Sequence, residues 1–397
     1  MRATKANPVI AALGRLLRLG VVGGGPGSFI GEIHRSAARL DDRYEIVASV
    51  LSSDPQRSRA AGQAIGMADD RAYGSLKEML ERESGRRDGI EVLAVMTPNG
   101  AHYGDCREAL SAGLDVICDK PLTTQLEDAV DLVQRVRASE RLFCTTFNYS
   151  GYPMVRQARA MVRSGELGEV RQVQVEYVQG HLAEFVEGQD KGNEPWRFDP
   201  IQTGASLVLG DIGSHAFHLG AFVTGLELTR LCADVGAVVP GRVVDDYAGI
   251  LLRYENGARG VMWTTQAAAG AEHGLHIRVH GDKGGLEWRQ EHPNHLHLTP
   301  LDRPAQVLSR GGPGLHAEAD RCIRVSLGHP EGFHEAFANL YSDFAEAIVA
   351  RKTGAEPEPL AMDFPTVDDG AKGVKFVEAA VESSRRGGGW VDCRLSL

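Results

Sequence analysis

Lys120 stands in Cys118-Asp119-Lys120-Pro121, directly after the apolar run Leu114-Asp115-Val116-Ile117. Proline drives the residue before it toward extended backbone and cannot extend a ladder itself. The pattern predicts a strand whose end holds Lys120 on the rim of a sheet. A solvated lysine in a turn is the plain alternative. Farther along, Gly210-Asp211-Ile212-Gly213-Ser214-His215-Ala216-Phe217-His218 puts a carboxylate one helical turn before an imidazole, with a second imidazole at i+7. A carboxylate so placed can orient the ring and stabilise its protonated form, which suits a base for a hydroxyl proton. Two other readings stand beside it: a core histidine with Asp211 capping a helix start, and a metal on Asp211, His215 and His218. A zinc site wants defined partners behind its ligands, and no metal is expected.

The elements that must position these groups follow from periodicity. Arg15 to Val22 reads as a strand entering the glycine-rich run Gly20 to His34. Glycines let backbone approach a pyrophosphate, and the helix that follows favours its negative charge. Gly23 and Gly25 take the first two places of G-x-G-x-x-G. Ser28 stands where the third glycine would fall, with Gly27 and Gly31 nearby, so a lengthened loop is expected. Tyr44 to Leu51 is a second strand, ending in Leu51-Ser52-Ser53 with no acidic residue for a ribose; Asp54 before Pro55 reads as a helix N-cap. NAD and NADP are therefore both left open. Strands at Glu91 to Met96, Leu114 to Cys118 and Leu142 to Phe147 alternate with helices from His102 and Thr124, which implies a parallel, doubly wound sheet. Ligands of such sheets lie beyond the carboxyl ends of the strands. The glycine loop, Thr97-Pro98-Asn99 and Lys120 all fall at that edge.

After Asn148-Tyr149 the pattern changes. Val173, Val175 and Tyr177 alternate with Gln172, Gln174 and Glu176 as in a half-buried strand. Ala248 to Tyr254 and Arg259 to Thr265 flank the hairpin signal Asn256-Gly257, and His276 to His280 and Gly285 to Arg289 form another pair. A largely antiparallel sheet is expected, hence an α+β second domain, closed by helices at about Phe333 to Ala350 and Asp368 to Ser384. Trp196-Arg197-Phe198 offers an aromatic beside an arginine, as sugar sites do and as surfaces also do. His329 and His334 flank Pro330-Glu331-Gly332, where a loop contact to a polar ligand and helix-start chemistry for Glu331 are both open.

A chain of 397 residues with a formal charge of -10 has length for two cores and is ill suited to nucleic acid or anionic membranes. Its six cysteines show no CxxC or paired spacing, which fits reduced thiols in a cytoplasm. No run is long enough to span a membrane. Residues 1–15 carry basic residues and a short apolar run without a cleavage pattern, and read as an arm before the first strand.

Taken together, the chain resembles the Gfo/Idh/MocA oxidoreductases from about Leu16 to Val391. The resemblance rests on the glycine turn with His34, Thr97-Pro98-Asn99 through His102, Asp119-Lys120-Pro121 for the family's E-K-P, and Asp211-Ile212-Gly213-Ser214-His215 for its D-x-G-x-H helix. It departs in Asp119 for Glu, the lengthened loop and the missing acidic residue. The stretches GGGPGSFIGEIHR, TPNGAHY, GDIGSHAFHL and GHPEGFHEAFANLY are similar to a subgroup of levoglucosan and glucoside 3-dehydrogenases. The resemblance implies an N-terminal Rossmann domain over 16–147 and an α+β domain with a large, mainly antiparallel open sheet over 148–397. It also implies hydride transfer between nicotinamide and a sugar secondary hydroxyl, at C3 of a pyranoside or an anhydrosugar such as levoglucosan. Lys120 would bond the reacting oxygen, His215 would take its proton, and Asp211 would orient the ring. The implied cofactor residues are Gly23, Gly25, Pro26, Gly27, Ser28, Phe29, Ile30, Ser52, Ser53, Thr97, Pro98, Asn99, His102, Asp119 and Lys120. Substrate would meet Lys120, Tyr149, Trp196, Arg197, Asp211, His215 and His329. A homodimer or homotetramer, joined through the open sheet face, is implied as well. A glycosidase acting through transient oxidation and a catalytically silent sugar or nucleotide sensor are the competing functions.

Overall fold

The computed structural model describes residues 6–187 and 195–395. Its elements begin with α1 (Pro8–Leu13), β1 (Leu17–Gly23), α2 (Phe29–Leu40), β2 (Tyr44–Val50), α3 (Pro55–Ala64) and α4 (Leu76–Ser84). Next come β3 (Val92–Met96), α5 (His102–Ser111), β4 (Asp115–Cys118), α6 (Leu126–Ser139), β5 (Phe143–Thr145), α7 (Pro153–Arg163) and β6 (Val170–Gln179). The middle holds α8 (Pro200–Thr203), α9 (Ser214–Thr224), β7 (Leu228–Gly236), β8 (Tyr247–Tyr254), β9 (Arg259–Thr265), β10 (His273–Gly281) and β11 (Gly284–Arg289). Last are β12 (His295–Pro300), β13 (Gln306–Ser309), α10 (Ala317–Asp320), α11 (Phe333–Thr353), α12 (Val367–Arg385) and β14 (Val391–Asp392).

Two units emerge. The first comprises residues up to Leu122, Glu127–Gly151 and Phe333–Gly370. Its five parallel strands run in the order β2-β1-β3-β4-β5. Every residue of β3 and β4 is buried, as a sheet covered on both faces requires. The arm of residues 1–15 contains a helix that the spacing did not announce. In α1, Asn7 caps the start by accepting from the Val9 amide at 3.0 Å, and Gly14 ends it at φ 69°.

The chain returns to this unit late. Phe337, Leu340, Tyr341, Phe344 and Ile348 of α11 share one core with Val9, Leu17, Leu19, Ile33 and Ala37. The segment after α11 stays there, Pro365 accepting from the Thr145 amide at 2.9 Å. Sequence reading placed 333–370 in the second domain. Apolar spacing marks which helix face is buried, not which core receives it.

The second unit is Thr123–Leu126, Tyr152–Gly332 and the chain from Ala371 on. Its nine-stranded sheet has the order β13-β12-β11-β10-β6-β9-β8-β7-β14. Pairing is antiparallel except between β6 and β9. Val173, Val175 and Tyr177 are buried on one face of β6. The opposite face of the sheet keeps Leu251, Val261 and Trp263 exposed beside a cross-strand ladder of Glu176, Arg278 and Glu287. At the β8–β9 hairpin the Tyr254 amide reaches Ala258, and Gly257 takes φ 87°, so three residues make the turn. Among the described residues no helix is long and apolar enough to cross a membrane.

Candidate functional site

In the first unit the glycine-rich loop is shaped by close backbone approach. A Cβ on Gly23 would fall 2.5 Å from the Met96 carbonyl oxygen, and one on Gly25 would fall 2.4 Å from that of Leu51. The loop thus threads between the carboxyl ends of β2 and β3, where only hydrogen fits. Ser28 caps α2 by accepting from the Gly31 amide at 3.3 Å. A Cβ on Gly31 would sit 2.1 Å from the Gly24 carbonyl oxygen. Gly31 therefore does the close-packing work of the third motif glycine, three residues later than the spacing allows for. Arg35, which sequence reasoning passed over, holds the loop by donating to Gly24 O at 2.5 Å. Gly23, Gly25, Pro26, Gly27, Ser28, Phe29 and Ile30 form one continuous turn into the positive end of a helix.

Beside this loop lie the other strand ends. Asp54 caps α3 through the Arg57 amide at 2.7 Å, and Ser52 Oγ accepts from the Asp54 amide at 3.2 Å, so Ser52 and Ser53 close β2 without a carboxylate of their own. After β3, Thr97 Oγ1 donates to Asp105 at 2.8 Å; burial raises the Asp105 carboxyl above its usual value. His102 is buried and sets its two ring nitrogens 2.8 Å from the carbonyl oxygens of Pro121 and Thr97. It ties the Thr97-Pro98-Asn99 turn to the Lys120–Pro121 turn, whose peptide bond is cis.

Asp119 now has a structural account. Its amide continues the ladder to Val95 O at 2.9 Å, and its carboxylate accepts from Thr146 Oγ1 at 2.8 Å. Lys120, next in line, is half-buried on the rim. In the core of the same unit, His34 Nδ1 lies 2.7 Å from Tyr341 Oη, while Tyr44 Oη donates to the Tyr341 carbonyl at 3.0 Å. Burial lowers His34 to about 4, only partly opposed by Asp119, so the ring is neutral near pH 7. Tyr149 is buried, its ring 6.2 Å from that of Phe333.

The second unit carries Asp211 and His215. Leu209–Gly213 forms a π-helical turn that runs straight into α9. A Cβ on Gly213 would meet Leu209 Cδ2 at 2.7 Å, and Ser214 Oγ bonds Gly210 O at 2.9 Å, so small residues permit the widened turn. Asp211 accepts from Gln266 Nε2 at 2.7 Å and pairs with Arg197 Nη1 at 3.0 Å. Gln266 was not foreseen; it lies 55 residues from Asp211. His215 is buried with its ring 6.4 Å from that of Tyr177. His218 is buried too, stacked 5.8 Å from Phe222. Among the described residues no three His, Cys, Asp or Glu gather as a metal site would need. The Trp196 side chain lies outside the described residues. His329 is exposed, its Nδ1 3.1 Å from Ser326 Oγ. Glu331 is no helix-start residue: it is buried and ion-paired to Arg310 at 2.9 Å.

The bare glycine cradle, its capped helix and the uncharged end of β2 fit a dinucleotide, and the strand-end row fits what is attached to it. Family models agree. Residues 17–147 match the oxidoreductase family with an NAD-binding Rossmann fold, and residues 155–287 match the GFO/IDH/MocA C-terminal domain. The uncharacterized oxidoreductase YfiI of Bacillus subtilis (strain 168) is 34% identical over 95% of this chain and 96% of its own. An inositol dehydrogenase homolog of Azotobacter vinelandii, solved with NAD+, is 41% identical with a TM-score of 0.90 over 95% of this chain and 97% of its own. Levoglucosan dehydrogenase of Pseudarthrobacter phenanthrenivorans is 23% identical over 71% of this chain and 76% of its own. The chain belongs to the Gfo/Idh/MocA oxidoreductases and is an enzyme of that family with an NAD-binding Rossmann domain.

Proposed function

We propose that this enzyme moves hydride between NAD and a secondary hydroxyl on the ring of a sugar or cyclitol. The observation that carries the reading is the row of strand ends: a glycine cradle, the Thr97-Pro98-Asn99 turn and Lys120 on one edge of one sheet. Bound NAD supplies the hydride acceptor. Gly23 to Ile30 would hold its pyrophosphate, Ser52 and Ser53 its adenosine ribose, and Thr97 to Asn99 with Asp119 would line its nicotinamide side. Lys120 would bond the reacting oxygen and stabilise negative charge there as the C–H bond breaks. His215 would take the hydroxyl proton. Asp211, anchored by Gln266 and Arg197, would favour the imidazolium that results. Tyr149, Arg197 and His329 are the further substrate residues.

The finer expectation, C3 of a pyranoside or anhydrosugar such as levoglucosan, shares the field with a cyclitol. The Azotobacter vinelandii homolog, also solved with NADH and myo-inositol, is 40% identical, whereas levoglucosan dehydrogenase solved with NADH and levoglucosan is 22% identical. Purified protein with NAD and, in separate assays, myo-inositol, levoglucosan and methyl glucoside should generate reduced-nicotinamide absorbance with at least one of them. Silence across a wide sugar and cyclitol panel, with NADP as well as NAD, would sink the reading. We also place the enzyme in the cytoplasm, on its six free thiols, and as a homodimer or homotetramer joined over Leu251, Val261 and Trp263. Light scattering of Trp263→Glu should report a smaller particle.

A further inference from the structure

The loop that leaves β1 uses few of its own amides. Ser28 N donates to Gly25 O at 3.0 Å, Gly31 N to Ser28 Oγ at 3.3 Å, and Glu32 N to Ser28 O at 3.2 Å. Among the described residues the amides of Gly25, Gly27, Phe29 and Ile30 have no acceptor. All four residues are exposed or half-buried, and their amides are the donors a pyrophosphate would meet. Helix geometry aims those of Phe29 and Ile30, because the first amides of α2 point along its axis without partners. Gly25 lies ahead of the helix, so its amide must be aimed by something else.

The peptide that carries this amide has glycine on both sides. Gly24 sits at φ 63°, and neither residue has a Cβ to oppose rotation of the plane between them. The plane is trans, so its C=O and N–H point opposite ways, and whatever fixes one aims the other. Arg35 is the group that fixes it. Its Nη1 donates to Gly24 O at 2.5 Å, the one hydrogen bond its side chain makes among the described residues. The same carbonyl is packed against α2, since a Cβ on Gly31 would fall 2.1 Å from Gly24 O. Arg35 is buried, which pulls its guanidinium below the usual arginine range, with Glu32 opposing from one turn earlier. Burying a cation costs desolvation, and here the cation holds the direction of a single peptide. A charged donor on the C=O also polarises that peptide and strengthens its N–H.

We propose that Arg35 is a positioning residue for NAD: by gripping Gly24 O it turns the Gly25 N–H outward as a pyrophosphate donor beside those of Gly27, Phe29 and Ile30. This rests on the pyrophosphate placement proposed above and is independent of the alcohol oxidised. The test uses the full-length protein, with ADP-ribose as the probe and adenosine as the control that lacks a pyrophosphate. When wild type is titrated with ADP-ribose, the Gly25 amide proton should move downfield in NMR spectra together with those of Phe29 and Ile30. Arg35→Met should weaken ADP-ribose binding about tenfold by calorimetry while adenosine stays within about twofold. It should also lose the Gly25 shift and keep those of Phe29 and Ile30. The ratio of wild-type to variant affinity should persist in high salt, because direction is lost rather than a screened attraction. A ratio that falls toward unity in salt would make Arg35 only a nearby charge and overturn the proposal, as would an equal loss for adenosine. A Gly25 amide that ignores ADP-ribose in wild type while Phe29 and Ile30 respond overturns it too, and decides the matter should Arg35→Met fail to fold. If none of the three amides responds, the pyrophosphate placement itself falls, and this inference with it.

Discussion

The two edges of the parallel sheet are built by opposite means. At the amino-terminal edge, side-chain charges do the joining. Glu91, just before β3, takes Arg15 at 2.6 Å and Lys352 at 2.9 Å, and Asp115, opening β4, takes Arg351 at 2.6 Å. Arg351 and Lys352 lie in the last turn of α11, where cations also suit the helix dipole. At the carboxyl edge the joining is done by main chain: glycines too crowded for a Cβ, a histidine between two carbonyls, a helix capped by serine. One edge anchors the returning helix. The other leaves bare backbone and a row of short turns for a ligand, the usual division in open α/β sheets.

Substitutions at the two edges should therefore separate activity from stability. Lys120→Ala is expected to lower kcat by about two to three orders of magnitude, with the urea midpoint barely moved; equal losses in both would erase the distinction. At the other edge, burial alone would raise the Glu91 carboxyl, but bonds from Arg15, Lys352 and the Arg18 amide bring it down to about 2. Its contribution is present above its ordinary value of 4.5 and fades as pH falls toward 2. Glu91→Gln should lose about 2 kcal/mol at neutral pH in urea unfolding, keep its turnover per folded molecule, and show a flatter loss of stability in acid.

A buried group of the same unit, His34, sharpens the comparison. Its native value of about 4 lies below the 6.5 of an unperturbed ring, so the unfolded chain protonates first as pH falls. The stability it permits is complete above 6.5 and declines toward 4, amounting to about 2 kcal/mol between about pH 8 and about pH 5. His34→Asn should remove that part of the slope. If its unfolding curves at the two pH values differ as much as wild type's do, the buried ring is not the sensor. The smallest effect belongs to the end of β2: Ser52→Asp should shift the ratio of NADH to NADPH affinity toward NADH by about tenfold, read by nicotinamide fluorescence. No shift would mean that residue 52 does not meet the ribose.

Much of this was legible because it is local. Strand and helix alternation through β5, the Asp54 cap and the strand end at Lys120 follow from neighbours in sequence. Less legible were features made by partners far apart. Thr146 explains Asp119 across 27 residues, Gln266 and Arg197 hold Asp211, and Arg310 claims Glu331 from 21 residues away. The π-helical turn also escaped, since Leu209–Gly213 has the composition of an ordinary helix start.

By itself the sequence determined where backbone had to be bare and where it had to turn, because glycine, proline and capping residues act within a few bonds of their own positions. Gly23 and Gly25 are of that kind. Tertiary structure alone decided that α11 would leave the second half and complete the first unit's core, and that Gly31 would do the work expected at position 28. An apolar stripe, or a missing Cβ, specifies that something must approach closely. Which surface approaches is settled only when the whole chain has packed.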